Sequence, residues 1–147
     1  MAISFKQAIR DRSRVFVAPL DVVLDRATSV QPDLVLVLER NLGILQGVIR
    51  GVPDLVVEVL SPSTAAYDRG EKFAHYSRLE SLQECALVSQ NRMRVEHFVR
   101  AGTEWRLSYL SDPQASLRFA PIGCEITLAE IYEGVELPPI ENSRWPR

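Results

Sequence analysis

The stretch Pro53-Asp54-Leu55-Val56-Val57-Glu58-Val59-Leu60, followed at once by Ser61-Pro62-Ser63-Thr64, decides how the rest of the chain is read. From Leu55 to Leu60 it is nearly continuous apolar sequence. That is the pattern of a strand covered on both faces, and it belongs at the centre of a sheet. Glu58 breaks the run. A carboxylate in such a place is costly to bury unless a metal ion, a cation or several hydrogen bonds compensate it.

Two more charges stand out on either side. Asp33 lies in Gln31-Pro32-Asp33-Leu34-Val35-Leu36-Val37, and Lys72 closes Tyr67-Asp68-Arg69-Gly70-Glu71-Lys72. Two carboxylates and a following lysine are the set that metal-dependent phosphodiester hydrolysis uses. The acids hold a divalent ion, and the lysine orients water and offsets charge on the phosphate. A blander reading stands beside this one: a strand glutamate on a solvated face or in a salt bridge with a neighbouring Lys or Arg. Spacing alone leaves both open, because displaced acids mark structural pairs as well as sites.

Working outward, Ser4-Phe5-Lys6-Gln7 has the form of a capping box and predicts a short helix to about Asp11–Ser13. Val15–Ala18 and Leu20–Leu24 read as strand on either side of Pro19, and Val30–Leu38 as the next strand. Residues 39–52, with Gly43, Gly47 and Gly51, read as a loop. Asp68-Arg69-Gly70-Glu71 resembles a second capping box, launching a helix with Phe73, Tyr76 and Leu79 on one side. Ala86–Val88, Val95–Val99, Trp105–Leu110 and Ser116–Phe119 read as strands. Thr127 with Glu130 predicts a capped helical turn. The expected architecture is α/β of the mixed α+β kind, a mixed central sheet with few helices. It forms a single domain over residues 1–147, of which 138–147 is a loose tail.

The chain is long enough for one core, and 46% hydrophobic with 24% charged residues suits a soluble globular protein. A net charge of -2 argues against a general nucleic-acid coat, yet leaves a nuclease open, since binding depends on local basic patches. Cys85 and Cys124 have neither zinc spacing nor the numbers of a disulfide scaffold and are expected reduced and buried. The amino end lacks the layout of a signal peptide, and no apolar run approaches the ~20 residues a membrane span requires. A cytoplasmic protein without membrane association is the simplest expectation.

The segment Pro53 to Thr64, with Tyr67-Asp68-Arg69-Gly70-Glu71-Lys72-Phe73, Tyr76, Ser81-Leu82-Gln83-Glu84, Leu87-Val88-Ser89-Gln90 and Ile122 to Tyr132, resembles the Uma-two family of bacterial endonucleases. The resemblance runs from roughly Val15 to Leu137. It implies a restriction-endonuclease-like fold of the PD-(D/E)xK superfamily. It also implies that Asp33 and Glu58 are metal ligands, with Mg²⁺ (or Mn²⁺) as cofactor and DNA as substrate. The position two after Glu58, usually lysine in the superfamily, is Leu60. The lysine role passes to Lys72, whose long side chain can reach back from a helix start to the acids. The Val59 carbonyl is a further candidate ligand, since hard cations accept carbonyl oxygen. Gln31, Ser61 and Asp68 are candidates to support these groups, Asp68 equally as a helix cap.

The sequence departs from the family in two places. A further amino-terminal segment, ending in a Tyr-Glu-Leu-like run and a glycine-rich hairpin, is expected ahead of the first helix and is missing. Cys85 stands where relatives tend to have tyrosine. The leading expectation is therefore a Mg²⁺-dependent DNA endonuclease with Asp33, Glu58 and Lys72 as catalytic set. The alternative is an inactive nuclease-fold remnant, a binding or structural module in which Glu58 pairs with Lys72. A homodimer is expected from fold analogy and from an open sheet edge. His75 and His97 lack partners at metal spacing and read as solvated or core histidines. The arginines at 10, 12, 14, 92, 94, 100 and 106 are candidates for a phosphate-facing patch whose convergence the sequence leaves open.

Overall fold

The computed structural model describes residues 14–17, 21–23, 29–30, 34–37, 44–45, 48–50, 53–60, 70–71 and 73–137. Its main sheet has six strands. They are β1 (Arg14–Val17), β4 (Leu34–Val37), β7 (Leu55–Leu60), β8 (Glu84–Ser89), β9 (Val95–Ala101) and β10 (Glu104–Leu110), in the order β1-β4-β7-β8-β9-β10. A four-stranded sheet, β3-β2-β6-β5, joins β2 (Asp21–Val23), β3 (Ser29–Val30), β5 (Ile44–Leu45) and β6 (Val48–Arg50). A third pair joins β11 (Ser116–Phe119) to β12 (Cys124–Thr127). The helices described are α1 (Phe73–Ser77) and α2 (Leu128–Ile131), with a 3-10 turn at Ala120–Ile122.

The expected mixed sheet with few helices is what forms. The β7–β8 pair is parallel, with Glu58 opposite Leu87, and the connection between them carries α1. The other pairs of the main sheet are antiparallel. Five of the six residues of β7 are buried, as its unbroken apolar run demands of a strand with layers on both faces.

Leu55, Val57, Ala86, Val88 and Val95 share one face of the sheet and pack under Leu117, Phe119, Cys124 and Ile126 of β11–β12 and Leu128 and Ile131 of α2. The opposite face holds Val56, Glu58, Leu60, Cys85, Leu87 and Phe98. Over it lies α1, whose Phe73 ring stacks on Phe98 at 3.9 Å and meets Trp105 edge-on at 5.4 Å. Arg100 binds the end of α1 to the sheet, donating to the carbonyls of Leu82 and Leu79, each at 2.7 Å, and of Ser77 at 3.3 Å. Ser77 is the last residue of α1, and its carbonyl is one that a helix terminus leaves without an intrahelical donor.

Three readings need correction. Residues 39–52 include β5 and β6, which pair antiparallel around Gln46-Gly47. A two-residue X-Gly connection between short apolar runs is a hairpin signal, and the scattered glycines obscured it. Val30–Leu38 is divided between β3 and β4, which belong to different sheets. Pro32 falls between them in sequence, and a proline cannot donate to a ladder. Val15–Ala18 and Leu20–Leu24 are likewise split between the two sheets, as β1 and β2.

The later half follows expectation closely. Strands β8 to β11 contain the residues predicted for them. Thr127 and Glu130 form the full capping box of α2, with Glu130 N–H donating to Thr127 Oγ1 at 3.2 Å and Thr127 N–H to Glu130 Oε2 at 2.9 Å. Cys85 and Cys124 are free and buried. The predicted helix at Ser4–Ser13, the cap at Asp68 and the tail 138–147 lie outside the described residues. Among the described residues no helix is long and apolar enough to cross a membrane.

Candidate active site

Glu58 sits on the α1 face of β7, near the strand's carboxyl end, and is only 2% exposed. Its carboxylate is compensated in part by α1. The fully buried Tyr76 hydroxyl donates to Glu58 Oε1 at 2.7 Å. A hydroxyl given to an ionised oxygen is a charge-assisted bond, stronger than a neutral one. The sequence places Tyr76 on the helix side shared with Phe73 and Leu79 and among the residues of the family resemblance, without a role at the site. Its spacing of four from Lys72, one helical turn, was the available sign that the helix presents a polar group toward the sheet.

The ladders fix what surrounds Glu58. In β4–β7, Leu34 pairs with Val57 and Val35 with Val56. Asp33 precedes Leu34 in the chain as Glu58 follows Val57; Asp33 itself lies outside the described residues, and so does Lys72. The Leu60 carbonyl accepts from Gln90 N–H at 3.0 Å, so it turns toward β8. Backbone groups alternate along a strand, and the Val59 carbonyl therefore turns to the β4 side. Val59 and Glu58 each have further interactions within the protein.

Across the sheet from Glu58 runs the row Leu87, Glu96, Tyr109. Glu96 is buried and bonded to Arg94 Nη2 at 3.3 Å, and the Arg94 guanidinium lies 4.8 Å from the centre of the Tyr109 ring. Arg100 covers Trp105 at 4.5 Å while holding the carbonyls at the end of α1. These two arginines share the face of Glu58, but each is committed to internal partners. Arg106 pairs opposite Val99 and belongs to the other face. Among the described residues the arginines thus do not converge into one phosphate-binding patch.

Another buried acid lies at the far end of the sheet. Glu84, beside Leu55 at the start of β8, bonds His97 Nε2 through Oε1 at 2.6 Å, and His97 meets Phe119 edge-on at 5.7 Å. His97 is a core histidine, as its isolation in sequence suggested. Glu84 Oε2 is buried with no partner among the described residues. His75 sits at the surface end of α1 with Arg78 Nη2 at 2.8 Å from its Nδ1. Burial raises the Cys124 thiol above its ordinary 9.0, and Glu130 nearby adds to the effect, so it is no nucleophile at neutral pH.

Among the described residues no three His, Cys, Asp or Glu side chains are grouped as a metal ion would require. Glu58 and the Val59 carbonyl offer hard oxygen donors of the kind Mg²⁺ or Mn²⁺ takes.

A mixed sheet with a buried acid at the end of a central strand and a helix folded back over it is the arrangement of a restriction-endonuclease-like protein. The chain belongs to the Uma2 family, described as "Putative restriction endonuclease", whose model matches residues 2–129. Two uncharacterised proteins of Synechocystis sp. are each 39% identical to it, over 69 and 85 residues. Those matches cover 46% and 56% of this chain and 39% and 44% of the relatives, so they span less than half the length of either relative. The crystal structure of a "putative nuclease belonging to DUF820" from Anabaena variabilis shares the fold. Its TM-score is 0.75 at 13% identity, over 90% of this chain and 75% of that one.

Proposed function

We propose that the protein is a Mg²⁺- or Mn²⁺-dependent DNA endonuclease whose site is built from Asp33, Glu58, the Val59 carbonyl and Lys72. The observation that carries this reading is Glu58: an acid held almost without exposure, in the centre of a nuclease-type sheet, beneath the helix that follows Lys72. The Leu34–Val57 pairing supports Asp33 as its companion. Continued by one residue in sequence, that antiparallel register would bring the two acids opposite each other.

Lys72 immediately precedes α1 in the sequence, four residues before Tyr76. Its ammonium is the group that orients the attacking water and offsets charge on the phosphate. Water oxygen forms the new bond to phosphorus as one ester oxygen leaves and takes up a proton. The chemistry a divalent ion supplies when bound is polarisation of the phosphoryl group and a lowered pKa for that water. Asp33 and Glu58 would hold it with the Val59 carbonyl, and Tyr76 fixes the orientation of Glu58.

One observation favours a second reading. The Tyr76 bond already satisfies part of the Glu58 carboxylate from within the protein, as in a binding module that keeps the fold without the chemistry. Calorimetry with Mn²⁺ separates the two. The nuclease reading expects binding to the wild type, lost in Asp33→Ala and Glu58→Ala. It also expects metal-dependent plasmid nicking that Lys72→Ala reduces by about 100-fold or more while Mn²⁺ still binds. A folded wild type that takes up no Mn²⁺ would favour the binding module.

A further inference from the structure

β10 is the outermost strand of the main sheet among the described residues, and it is exposed on both faces. On the α1 face it presents Trp105, Leu107 and Tyr109, the last two 41% and 59% exposed. Its backbone faces outward at the same three residues. Arg100 N–H donates to the Gln83 carbonyl and the Arg94 carbonyl accepts from Ser89 N–H, each at 2.9 Å, so even-numbered residues of β9 turn toward β8. Odd-numbered ones turn toward Glu104, Arg106, Ser108 and Leu110. The N–H and C=O groups of Trp105, Leu107 and Tyr109 are left pointing away from the sheet.

We propose that this edge pairs with β10 of a second copy of the chain, antiparallel about a two-fold axis at Leu107, making one continuous sheet. The sequence of the strand is self-complementary in that register. Trp105 of each copy faces Tyr109 of the other, Leu107 faces its own copy, Glu104 faces Leu110 and Arg106 faces Ser108. The pairs at 105, 107 and 109 all have outward backbone groups, so about six inter-chain hydrogen bonds form. Each aromatic pair adds a favourable cross-strand contact.

Neighbouring registers are worse. An axis at Arg106 opposes two arginines, and one at Ser108 opposes Glu104 to Asp112; like charges directly across a ladder are destabilising. Axes at Trp105 or Tyr109 shorten the overlap to the three strand residues around them. An edge of seven residues with large apolar side chains on one face and neither proline nor lysine has few of the usual protections of a strand meant to stay solvated, its charges being Glu104 and Arg106 on the other face. A second copy supplies the cover.

Glu58 lies three strands in from β10. The two sites are then about seven strand steps apart, and a twist of about 20–25° per step turns them roughly 150° from each other. Each site acts alone. The pairing therefore does not rest on the nuclease reading, and it is measured without substrate.

Sedimentation velocity across a concentration series, with circular dichroism to confirm folding, tests it. The wild type should be a dimer and Leu107→Lys a folded monomer; should that variant fail to fold, Tyr109→Lys replaces it. Leu107→Cys should form an inter-chain disulfide on mild oxidation, since the two native thiols are buried and the axis brings the residue within bridging distance of its copy. A monomeric wild type, a dimer that survives the lysine substitution, or failure of the Leu107→Cys chains to cross-link would each overturn the proposal.

Discussion

Tyr76 of α1 donates its hydroxyl hydrogen to Glu58 of β7 at 2.7 Å, with both residues buried. That bond connects α1 to the one acid of β7. Tyr76→Phe keeps the ring that fills the space and removes only the donor. A hydrogen bond to a charged group contributes about 1.5–3 kcal/mol, so thermal or denaturant unfolding should show a loss of that order. Because Tyr76 fixes how Glu58 is presented, Mn²⁺ affinity or cleavage should fall by roughly 10- to 100-fold in the same variant. Loss of stability with unchanged metal affinity would mean that Tyr76 supports the fold alone.

The end of α1 depends on Arg100, whose guanidinium serves three carbonyls while its face covers Trp105. A planar fork reaches several acceptors at fixed geometry, and an ammonium does not. Arg100→Lys should therefore be destabilising, by about 1–3 kcal/mol for the carbonyls left without donors. Urea denaturation of the pair Arg100→Lys and Arg100→Ala checks this. If lysine restored wild-type stability, charge alone and not the fork would hold the helix end.

How much of this was legible follows the physics of each segment. β7 was visible because a strand buried on both faces must be apolar throughout, and Glu58 was visible because it violated that rule. The capping box of α2 was legible because Thr127 and Glu130 are local in sequence. The division of the first fifty residues between two sheets was not. Strands of two to four residues there pair with partners far along the chain, as β2 does with β6, and short runs carry too few alternations to reveal a face. The buried pair of Glu84 and His97 was hidden for another reason. Each looked like an isolated polar residue, and only the β8–β9 register brings them together.

That pair makes a sharp test of a buried hydrogen bond. His97→Leu leaves Glu84 in the core without its side-chain partner at Oε1, Oε2 having none among the described residues already. Leaving a buried acceptor without its hydrogen-bond partner is expected to cost about 1–3 kcal/mol. The double variant His97→Leu with Glu84→Leu should recover most of that loss, since an apolar pair needs no compensation there. A double-mutant cycle by chemical denaturation gives the coupling directly. A double variant no more stable than His97→Leu would show that Glu84 serves the fold through contacts other than the histidine.

Alkaline pH should weaken the fold through two buried groups that resist losing a proton. Tyr132 donates to the carbonyls of Ser89 at 2.7 Å and Arg94 at 3.0 Å, and burial raises it above its ordinary 10.0 despite the opposing effects of the Arg94 backbone and Arg92. Cys124 is raised above its ordinary 9.0 by burial and by Glu130. A group whose folded pKa exceeds its unfolded value holds its proton more tightly in the native state. Its contribution is complete below the unfolded value and is lost as pH rises toward the folded one. The unfolding midpoint should therefore hold level from neutral pH to about 9 and fall above it, first through Cys124 and then through Tyr132. Cys124→Ser with Tyr132→Phe should flatten that decline while lowering stability at pH 7. The tyrosine change alone takes the hydroxyl donor from the Ser89 carbonyl and the acceptor from the Arg94 N–H, at about 1–3 kcal/mol. An alkaline profile unchanged by both substitutions would place the titrating groups elsewhere in the chain.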